Sequence, residues 1–155
     1  MRRIGLFLTF SPRRQYLLVF TFVLAIFSWF SFRFFPSRTR FSSKKMLIFR
    51  DSTKLDQKFR SLCLDIRWAI LVVSHQVFFE QKCRHQAWQA KKICNWYGIP
   101  YTIFVGFKKN EEGQIEGHAW TEAGGIQISG LCDPQEYHLM NTYSNFKTLN
   151  ASPVT

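Results

Sequence analysis

An uncharged apolar run near the N-terminus is the feature that most limits how this chain can fold. Residues 15–32 contain no Asp, Glu, Lys or Arg. The preceding Ser11-Pro12 is typical of a helix start, because Ser caps the first turn and Pro fits its first position. A bilayer-spanning helix needs about 20 such residues. The run therefore predicts a helix that spans a membrane, lies in its interface, or docks on the rest of the chain or on a partner.

The positive charge of the chain is concentrated around this run. The whole sequence has a formal net charge of +11. Residues 1–50 contain ten Arg or Lys and no acid, whereas residues 51–155 hold eleven bases and ten acids and are nearly neutral. A basic, apolar segment is typical of contact with an anionic membrane surface. Because the other charges are balanced, the sequence argues against a nucleic-acid binder.

The four cysteines indicate a reducing compartment. Cys63, Cys83, Cys94 and Cys132 form no Cys-x-x-Cys pair, and no secretory cleavage site follows the apolar run. We therefore predict thiols rather than disulfides and a cytoplasmic location, with membrane contact through residues 15–32. The Cys-Arg-His string at the second cysteine has no second ligand pair at zinc-finger spacing, so we predict no metal site.

Two helices are predicted after a polar linker at residues 36–45. Residues 54–79 carry apolar side chains three or four positions apart, which is the spacing of one helix face. Residues 83–97 repeat this spacing. Gly98 follows where a C-cap residue belongs, and Pro100 prevents the helix from continuing.

Short segments rich in β-branched and aromatic residues predict three strands after these helices. They are residues 101–107, 115–123 and 126–129. Patterning is weak from Asp133 onward. Helices followed by neighbouring strands are typical of an α+β fold with a small antiparallel sheet. We therefore expect a basic apolar segment with its linker at residues 1–45 and one α+β domain at residues 46–155.

Cys83 has the features of a reactive thiol. It stands at the predicted start of a helix between Lys82 and Arg84, and both the helix dipole and the two cations lower a thiol pKa. Its own backbone N–H can donate to an oxyanion. Gln76 and Gln81, upstream of Cys83, are weaker candidates for a second donor, because surface solvation is the more common role of such residues. Gln86 lies one turn into the helix on the Cys83 face, where it can act as a structural hydrogen-bonding residue.

His118 is the candidate base for this thiol. It lies near the head of the second predicted strand, where alternation puts Trp120 and Glu122 on the same face. A thiol peptidase needs an imidazole within hydrogen-bond reach, and an aromatic neighbour can exclude water from the pair. A lone Cys and a lone His are more commonly buried structural residues, so this assignment needs further support.

That support comes from four strings, which together are more specific than any one of them. They are Cys83-Arg-His-Gln-Ala87, Trp96-Tyr-Gly-Ile-Pro100, Phe104-Val-Gly-Phe-Lys108 and Gly117-His-Ala-Trp-Thr-Glu122. This stretch resembles the catalytic half of the lasso-peptide biosynthesis B protein, a family of the transglutaminase-like superfamily. The Ser11-Pro-Arg-Arg start of an apolar segment also occurs in that family. The resemblance implies a papain- or transglutaminase-like core with an apolar N-terminal helix, with Cys83 as nucleophile and His118 as base.

The resemblance also implies an activity and a set of partners. The family removes the leader peptide from a ribosomally made precursor, and a separate asparagine-synthetase-like cyclase then joins the freed amine to an acidic side chain. Leader recognition belongs to a small winged-helix-like module, which residues 1–50 do not resemble. We therefore expect a cysteine peptidase that works with a separate leader-binding protein. We expect no cofactor, and any ATP dependence would enter through the assembled complex.

The third member of the catalytic group is open between three choices. The resembled family often has an Asp about a dozen residues after the His, and Gly130 stands there in this chain. The wider superfamily pattern favours Asp133. Gln127 is the alternative, because an amide orients the imidazole in papain-like enzymes, and a plain Cys–His dyad is the third choice. Glu122 lies four residues from His118 on one strand, about 13 Å away, which is too far for a direct bond.

A different class of function, a catalytically silent scaffold, is the competing interpretation. Such a scaffold would tether a peptide-maturation complex to a membrane. It would keep the fold and the apolar N-terminus, and lost activity would explain the missing acid. The presence of both Cys83 and His118 favours the peptidase.

Overall fold

The structure is a computed structural model that describes residues 9–35, 41, 47–49 and 52–148. Within these residues the chain forms three helices and six short strands, and the first strand lies between the first two helices. The helices are α1 (Pro12–Phe34), α2 (Ser52–Gln76) and α3 (Cys83–Tyr97). The strands are β1 (Leu47–Phe49), β2 (Thr102–Lys109), β3 (Ile115–Ala123), β4 (Ile126–Ser129), β5 (His138–Ser144) and β6 (Phe146–Thr148), with a 3-10 turn at Pro134–Glu136. The predicted α+β class with an apolar N-terminal helix is confirmed.

Helix α3 begins and ends at the residues that the sequence predicts. Gly98 takes φ = 63° as its C-cap, a conformation that glycine adopts without strain. At the other end, Nδ1 of His85 accepts a hydrogen bond from the backbone N–H of Lys82 at 3.0 Å. A histidine thus takes the part that Glu or Gln has in a capping box. Helix α2 ends at Gln76, three residues before the predicted end, because the chain bends at residues 77–79 toward the start of α3.

Four strands form an antiparallel sheet in the order β4-β3-β2-β5. Strands β3 and β4 have the predicted bounds, and β2 is shifted by one or two residues from its predicted position. The sequence does not predict β5, because most of its side chains are exposed and no apolar alternation marks it. Strands β1 and β6 pair in parallel as a separate two-stranded sheet.

The hydrophobic core lies between α2, α3 and the four-stranded sheet. Fully buried side chains come from every layer: Cys63, Ile66, Ile70, Ala87, Ile93, Cys94, Ile103 and Ile128. Helix α2 packs on β4, and α3 packs on β3 and β4. The first residue of α3, Cys83, and the middle of β3, which carries His118, are therefore brought to the same region of the molecule.

Helix α1 packs on α2 and α3 through a narrow stripe of mostly small or polar side chains. The buried residues recur at three- and four-residue spacing and are Leu17, Thr21, Ala25, Ser28 and Ser31. Small side chains let the helices approach closely, and Leu17 joins the hydrophobic core. Arg13 and Arg14 form ion pairs with the buried carboxylate of Asp65 on α2.

The opposite face of α1, which we call the outer face, carries large apolar side chains that are each 40% to 58% exposed. They are Tyr16, Val19, Phe22, Val23, Ile26, Phe27, Trp29, Phe30 and Phe34. Of the arrangements predicted for the apolar run, the structure therefore shows a helix docked on the rest of the chain. Helix α1 lies before the domain boundary expected after residue 45, and it packs on α2 and α3, which lie after that boundary. The predicted linker at residues 36–45 lies outside the described residues, except for Phe41.

Candidate active site

Cys83 lies at the N-terminus of α3 with a half-buried thiol. Lys82 precedes it as the N-cap in an extended conformation, with φ = −64° and ψ = 159°. The first turn of a helix leaves backbone N–H groups unpaired, and their partial positive charge favours a thiolate. The backbone N–H of Arg84 also helps to lower the pKa of the thiol. Cys83 therefore lies at the helix start that the sequence predicts for it.

His118 on β3 lies beside the Cys83 thiol, close enough for each side chain to shift the pKa of the other. On the other side of the ring, Nε2 lies 2.9 Å from the backbone carbonyl oxygen of Gly130. A carbonyl oxygen only accepts hydrogen bonds, so Nε2 carries a proton in this contact. Nδ1 is then the ring nitrogen left to take the proton of Cys83. This is the tautomer that a thiol–imidazole pair requires.

The contact shifts the pKa of each partner in the direction that favours charge separation. Burial raises the pKa of the Cys83 thiol, but hydrogen bonds from His118 and from the backbone N–H of Ala119 outweigh it, so the pKa falls below the ordinary 9.0. The hydrogen bond with Cys83 raises the pKa of His118 above 6.5, burial opposes this rise, and the Gly130 carbonyl adds to it. Both shifts favour a thiolate–imidazolium pair.

The backbone carbonyl of Gly130 stands where a catalytic triad has its third member. Gly130 has φ = 62°, and a Cβ atom there would collide with the carbonyl oxygen of Ala119. Only glycine therefore lets this turn lie against β3. The turn directs a main-chain oxygen, not a side chain, at the His118 ring. A neutral carbonyl can orient the imidazole, but it adds no negative charge.

The structure brings neither Asp133 nor Gln127 to the His118 ring. The exposed Asp133 carboxylate accepts a hydrogen bond from the backbone N–H of Gln135 at 3.0 Å and caps the 3-10 turn. The Gln127 amide bonds both backbone groups of Cys132, at 3.1 Å each. Gln127 lies on β4 and bonds the chain as it returns past the turn, whereas Asp133 lies beyond the turn and caps the 3-10 segment. The signal for this geometry was present in the sequence, because a glycine stands where the resembled family often has the acid.

Aromatic rings pack around His118. Its ring centroid lies 5.2 Å from that of Tyr137 and 6.4 Å from that of Trp120. Trp120 is buried and stacks on Phe104 at 5.3 Å. The predicted shared face of His118 and Trp120 is confirmed. Tyr137 is not predicted from the sequence, because it lies in the weakly patterned segment after β4.

Cys83 and His118 line a cleft of about 650 Å³ that is open to solvent. The other lining residues are Phe32, Phe41, Lys82, Arg84, Val105, Gly106, Gly117, Ala119, Met140 and Tyr143. Phe32 belongs to α1, so the apolar helix contributes directly to the wall beside the nucleophile. A largely apolar cleft with two cations near the thiol can accept an extended peptide whose side chains are apolar.

The remaining cysteines lack the properties of a nucleophile. Complete burial raises the pKa of Cys94 well above its ordinary value. Burial and the nearby Asp133 and Glu136 raise the pKa of Cys132. Cys63 is fully buried in the core, and none of the four cysteines, all of which lie in described segments, forms a disulfide. Cys83 is the cysteine that combines access to the cleft with a lowered pKa.

His85 is structural, although it lies two residues from the nucleophile. Burial and the adjacent Arg84 cation lower its pKa to about 4. Its ring packs edge-on against Phe32 of α1, with centroids 4.8 Å apart. It therefore stays neutral and caps α3 at the junction with α1. Across residues 9–35 and 52–148, no three His, Cys, Asp or Glu side chains are grouped to hold a metal ion.

Comparison with known proteins gives one match. A family model described as the transglutaminase-like superfamily matches residues 28–142. The matched stretch begins inside α1, includes α2 and α3, and ends in β5, so it contains Cys83, His118 and Gly130. No curated protein and no solved structure matches significantly.

Proposed function

The chain belongs to the transglutaminase-like superfamily, and on that premise we propose that it is a cysteine peptidase that removes the leader from a lasso-peptide precursor. The superfamily includes cysteine peptidases and transglutaminases. The observation that carries the proposal is the adjacent Cys83–His118 pair in an open cleft, with a lowered thiol pKa and an oriented ring. The resemblance of the surrounding strings to the lasso-peptide B protein supplies the substrate class.

The proposed reaction passes through a thioester. The Cys83 thiolate attacks the carbonyl carbon of the scissile peptide bond, and the backbone N–H of Cys83 donates to the resulting oxyanion. The His118 imidazolium protonates the leaving amine, the C–N bond breaks, and the leader remains bound to sulfur. Water then attacks the thioester with His118 as general base, which releases the leader as an acid and restores the thiol pair. No step needs a cofactor, and any ATP dependence belongs to the assembled complex.

We propose that leader recognition and cyclisation belong to separate proteins. The support is the resemblance, in which a winged-helix-like module binds the leader and an asparagine-synthetase-like cyclase uses the freed amine. A leader-binding protein would raise the effective concentration of the precursor at the cleft without changing the chemistry. Adding it is expected to increase cleavage at low precursor concentration.

We also propose that the outer face of α1 contacts the cytoplasmic surface of a membrane. Within the described residues, α1 is the one helix long and apolar enough to cross a bilayer, with a mean hydropathy of 2.0 over its most apolar window. Its small-residue stripe is already packed on α2 and α3, so a helix held in this way would lie along the membrane surface. Arg33 at one end favours anionic lipids, and so does the one positive charge that Arg13 and Arg14 keep beyond Asp65 at the other end.

Cleavage of a precursor peptide, followed by mass spectrometry, tests the proposed activity. The full chain is supplied with its leader-binding partner. Cys83→Ala is expected to lower cleavage by about 1,000-fold or more while the protein stays folded. Cys94→Ala is the matched control, because it removes a thiol from the core and is expected to lower stability but to keep cleavage. Cleavage that persists in Cys83→Ala would contradict the assignment of the nucleophile.

Two further readouts separate the peptidase from its alternatives. With a primary amine added, hydrolysis is expected to remain the main outcome, and a leader amide as main product would indicate acyl transfer instead. Alkylation of Cys83 faster than of a free cysteine is expected near neutral pH. The silent scaffold would be favoured if the protein cleaves no precursor and Cys83 reacts no faster than a free cysteine.

A further inference from the structure

The turn that presents the Gly130 carbonyl to His118 is held on one side by Gln86. The Oε1 atom of Gln86 accepts a hydrogen bond from the backbone N–H of Gly130 at 3.4 Å. Its Nε2 atom donates to the backbone carbonyl of Gln81 at 3.3 Å. Gln86 therefore ties the turn to the segment that leads into the nucleophile, Cys83.

Gln127 holds the other side of the same turn. Its Nε2 donates to the carbonyl oxygen of Cys132, and its Oε1 accepts from the N–H of Cys132, both at 3.1 Å. One side-chain amide thus satisfies both backbone groups of a single residue and closes the loop over residues 127–132. Gly130 lies inside this loop.

The segment that anchors Gln86 is itself held by buried polar contacts. The Oε1 atom of Gln81 accepts a hydrogen bond from Nε2 of Gln89 at 2.6 Å, and the same Nε2 lies 3.3 Å from Oγ of Ser28 on α1. Gln89 and Ser28 are buried. Leaving such groups unpaired is unfavourable, so these contacts give Gln86 a well-ordered partner.

We propose that Gln86 and Gln127 are positioning residues of the active site, which orient the Gly130 carbonyl and through it the His118 ring. This inference rests on the proposed function only in taking Cys83 and His118 as the reactive pair. A glycine has no side chain to restrict rotation of its backbone. Without the two amides the carbonyl can turn away from Nε2, the imidazole loses its fixed tautomer, and less Cys83 thiolate forms at a given pH.

The test is the rate at which iodoacetamide alkylates Cys83 in the full chain, measured from about pH 4 to pH 9 by peptide mass spectrometry. Gln86→Met keeps the side-chain length but removes both hydrogen bonds. We expect it to slow alkylation near pH 6 by about three- to tenfold and to move the inflection to higher pH. Gln127→Met is expected to act in the same direction.

Two variants control for effects unrelated to the turn. Gln86→Glu still accepts from the Gly130 N–H but cannot donate to the Gln81 carbonyl, so it is expected to restore only part of the alkylation rate. Gln135→Met makes the same change at an exposed glutamine outside the loop and is expected to leave the pH profile unchanged. In a cleavage assay, Gln86→Met is expected to lower kcat and to leave KM within about twofold, because substrate contacts are not altered.

The inflection of the alkylation profile is the measurement that decides the proposal. An unchanged inflection in both Gln86→Met and Gln127→Met overturns the proposal, and so does an equal shift in Gln135→Met. Thermal unfolding identifies any variant that has lost its fold. If Gln86→Met is unfolded, the alkylation profile of Gln127→Met tests the proposal instead. Alkylation needs no precursor, so a chain that cleaves nothing but shows these shifts loses the peptidase assignment and keeps the positioning role.

Discussion

Helices α1 and α3 pack in one molecule, yet they expose different kinds of side chain. Helix α3 buries apolar residues such as Ala87 and Ile93 and leaves the Lys92 cation exposed. Helix α1 buries Thr21 and Ser28 and exposes the large apolar residues of its outer face. Each half-exposed aromatic ring that leaves water gains roughly 1 kcal/mol or more. The difference indicates that the exposed face of α3 is suited to contact with water and the outer face of α1 to contact with a second apolar surface.

The largest effect in this comparison is expected from removal of α1. Deletion of residues 1–35 takes Leu17 from the core and leaves the buried Asp65 carboxylate without Arg13 and Arg14. Arg13 and Arg14 are each about half exposed, so losing these ion pairs costs less than breaking a fully buried pair. The larger loss is the apolar surface of α2 and α3 that α1 covers, because a small domain has little stability to spare. We expect no cooperative thermal transition by circular dichroism. A truncated chain with a native spectrum and normal Cys83 alkylation would show instead that α1 is an accessory.

The outer face can be separated from the chemistry by a double substitution. Phe22→Ser with Phe30→Ser is expected to weaken binding to anionic vesicles by about 10- to 100-fold, because two large apolar side chains no longer enter the lipid. Cosedimentation measures the binding. Leu139→Ser on β5 is the matched control, since it removes an exposed apolar side chain from another surface. Equal weakening by the control, or no vesicle binding by the unaltered chain, would contradict a membrane contact through α1.

The junction between the two helices is expected to make stability depend on pH through His85. Its pKa is about 4 in the folded protein against 6.5 in the unfolded chain, so between these values the unfolded state binds the extra proton. Stability is therefore complete above about pH 6.5 and falls by about 2–3 kcal/mol as pH drops to about 4.

His85→Gln tests this dependence, because glutamine still accepts the Lys82 N–H but does not titrate. Urea unfolding of both proteins at several pH values gives the difference in unfolding free energy. The variant is expected to lose less stability on acidification than the unaltered chain. Parallel curves for the two proteins would mean that His85 does not titrate as its burial implies.

The smallest effect is expected at Asp133. Its carboxylate caps the turn at Gln135 and lies away from the His118 ring, so Asp133→Asn is expected to change precursor cleavage and Cys83 alkylation by less than about twofold. Gln127→Met is the informative comparison, because it acts on the loop that contains Gly130. If Asp133→Asn lowers the rate of precursor cleavage by tenfold or more, the Asp133 carboxylate takes part in catalysis after all.

The reactive pair can be recognised from sequence because each member sits on a strongly marked element. The Cys83 helix has a readable start and a Gly98 end, and the His118 strand lies between glycine-containing turns. The third member cannot be recognised in the same way. Its identity depends on the backbone angles at Gly130, which decide whether a side chain or a main-chain oxygen faces the ring.

Local pattern is enough to determine α2, α3, β3 and β4, because helical periodicity, strand alternation and turn residues act within a few positions of the chain. The docking of α1, the addition of β5 to β2 and the Gly130 acceptor depend on segments far apart in sequence. Gln86 and Gly130, for example, are 44 residues apart. Such contacts form only when the core brings distant surfaces together, and the tertiary structure alone decides which atoms then meet.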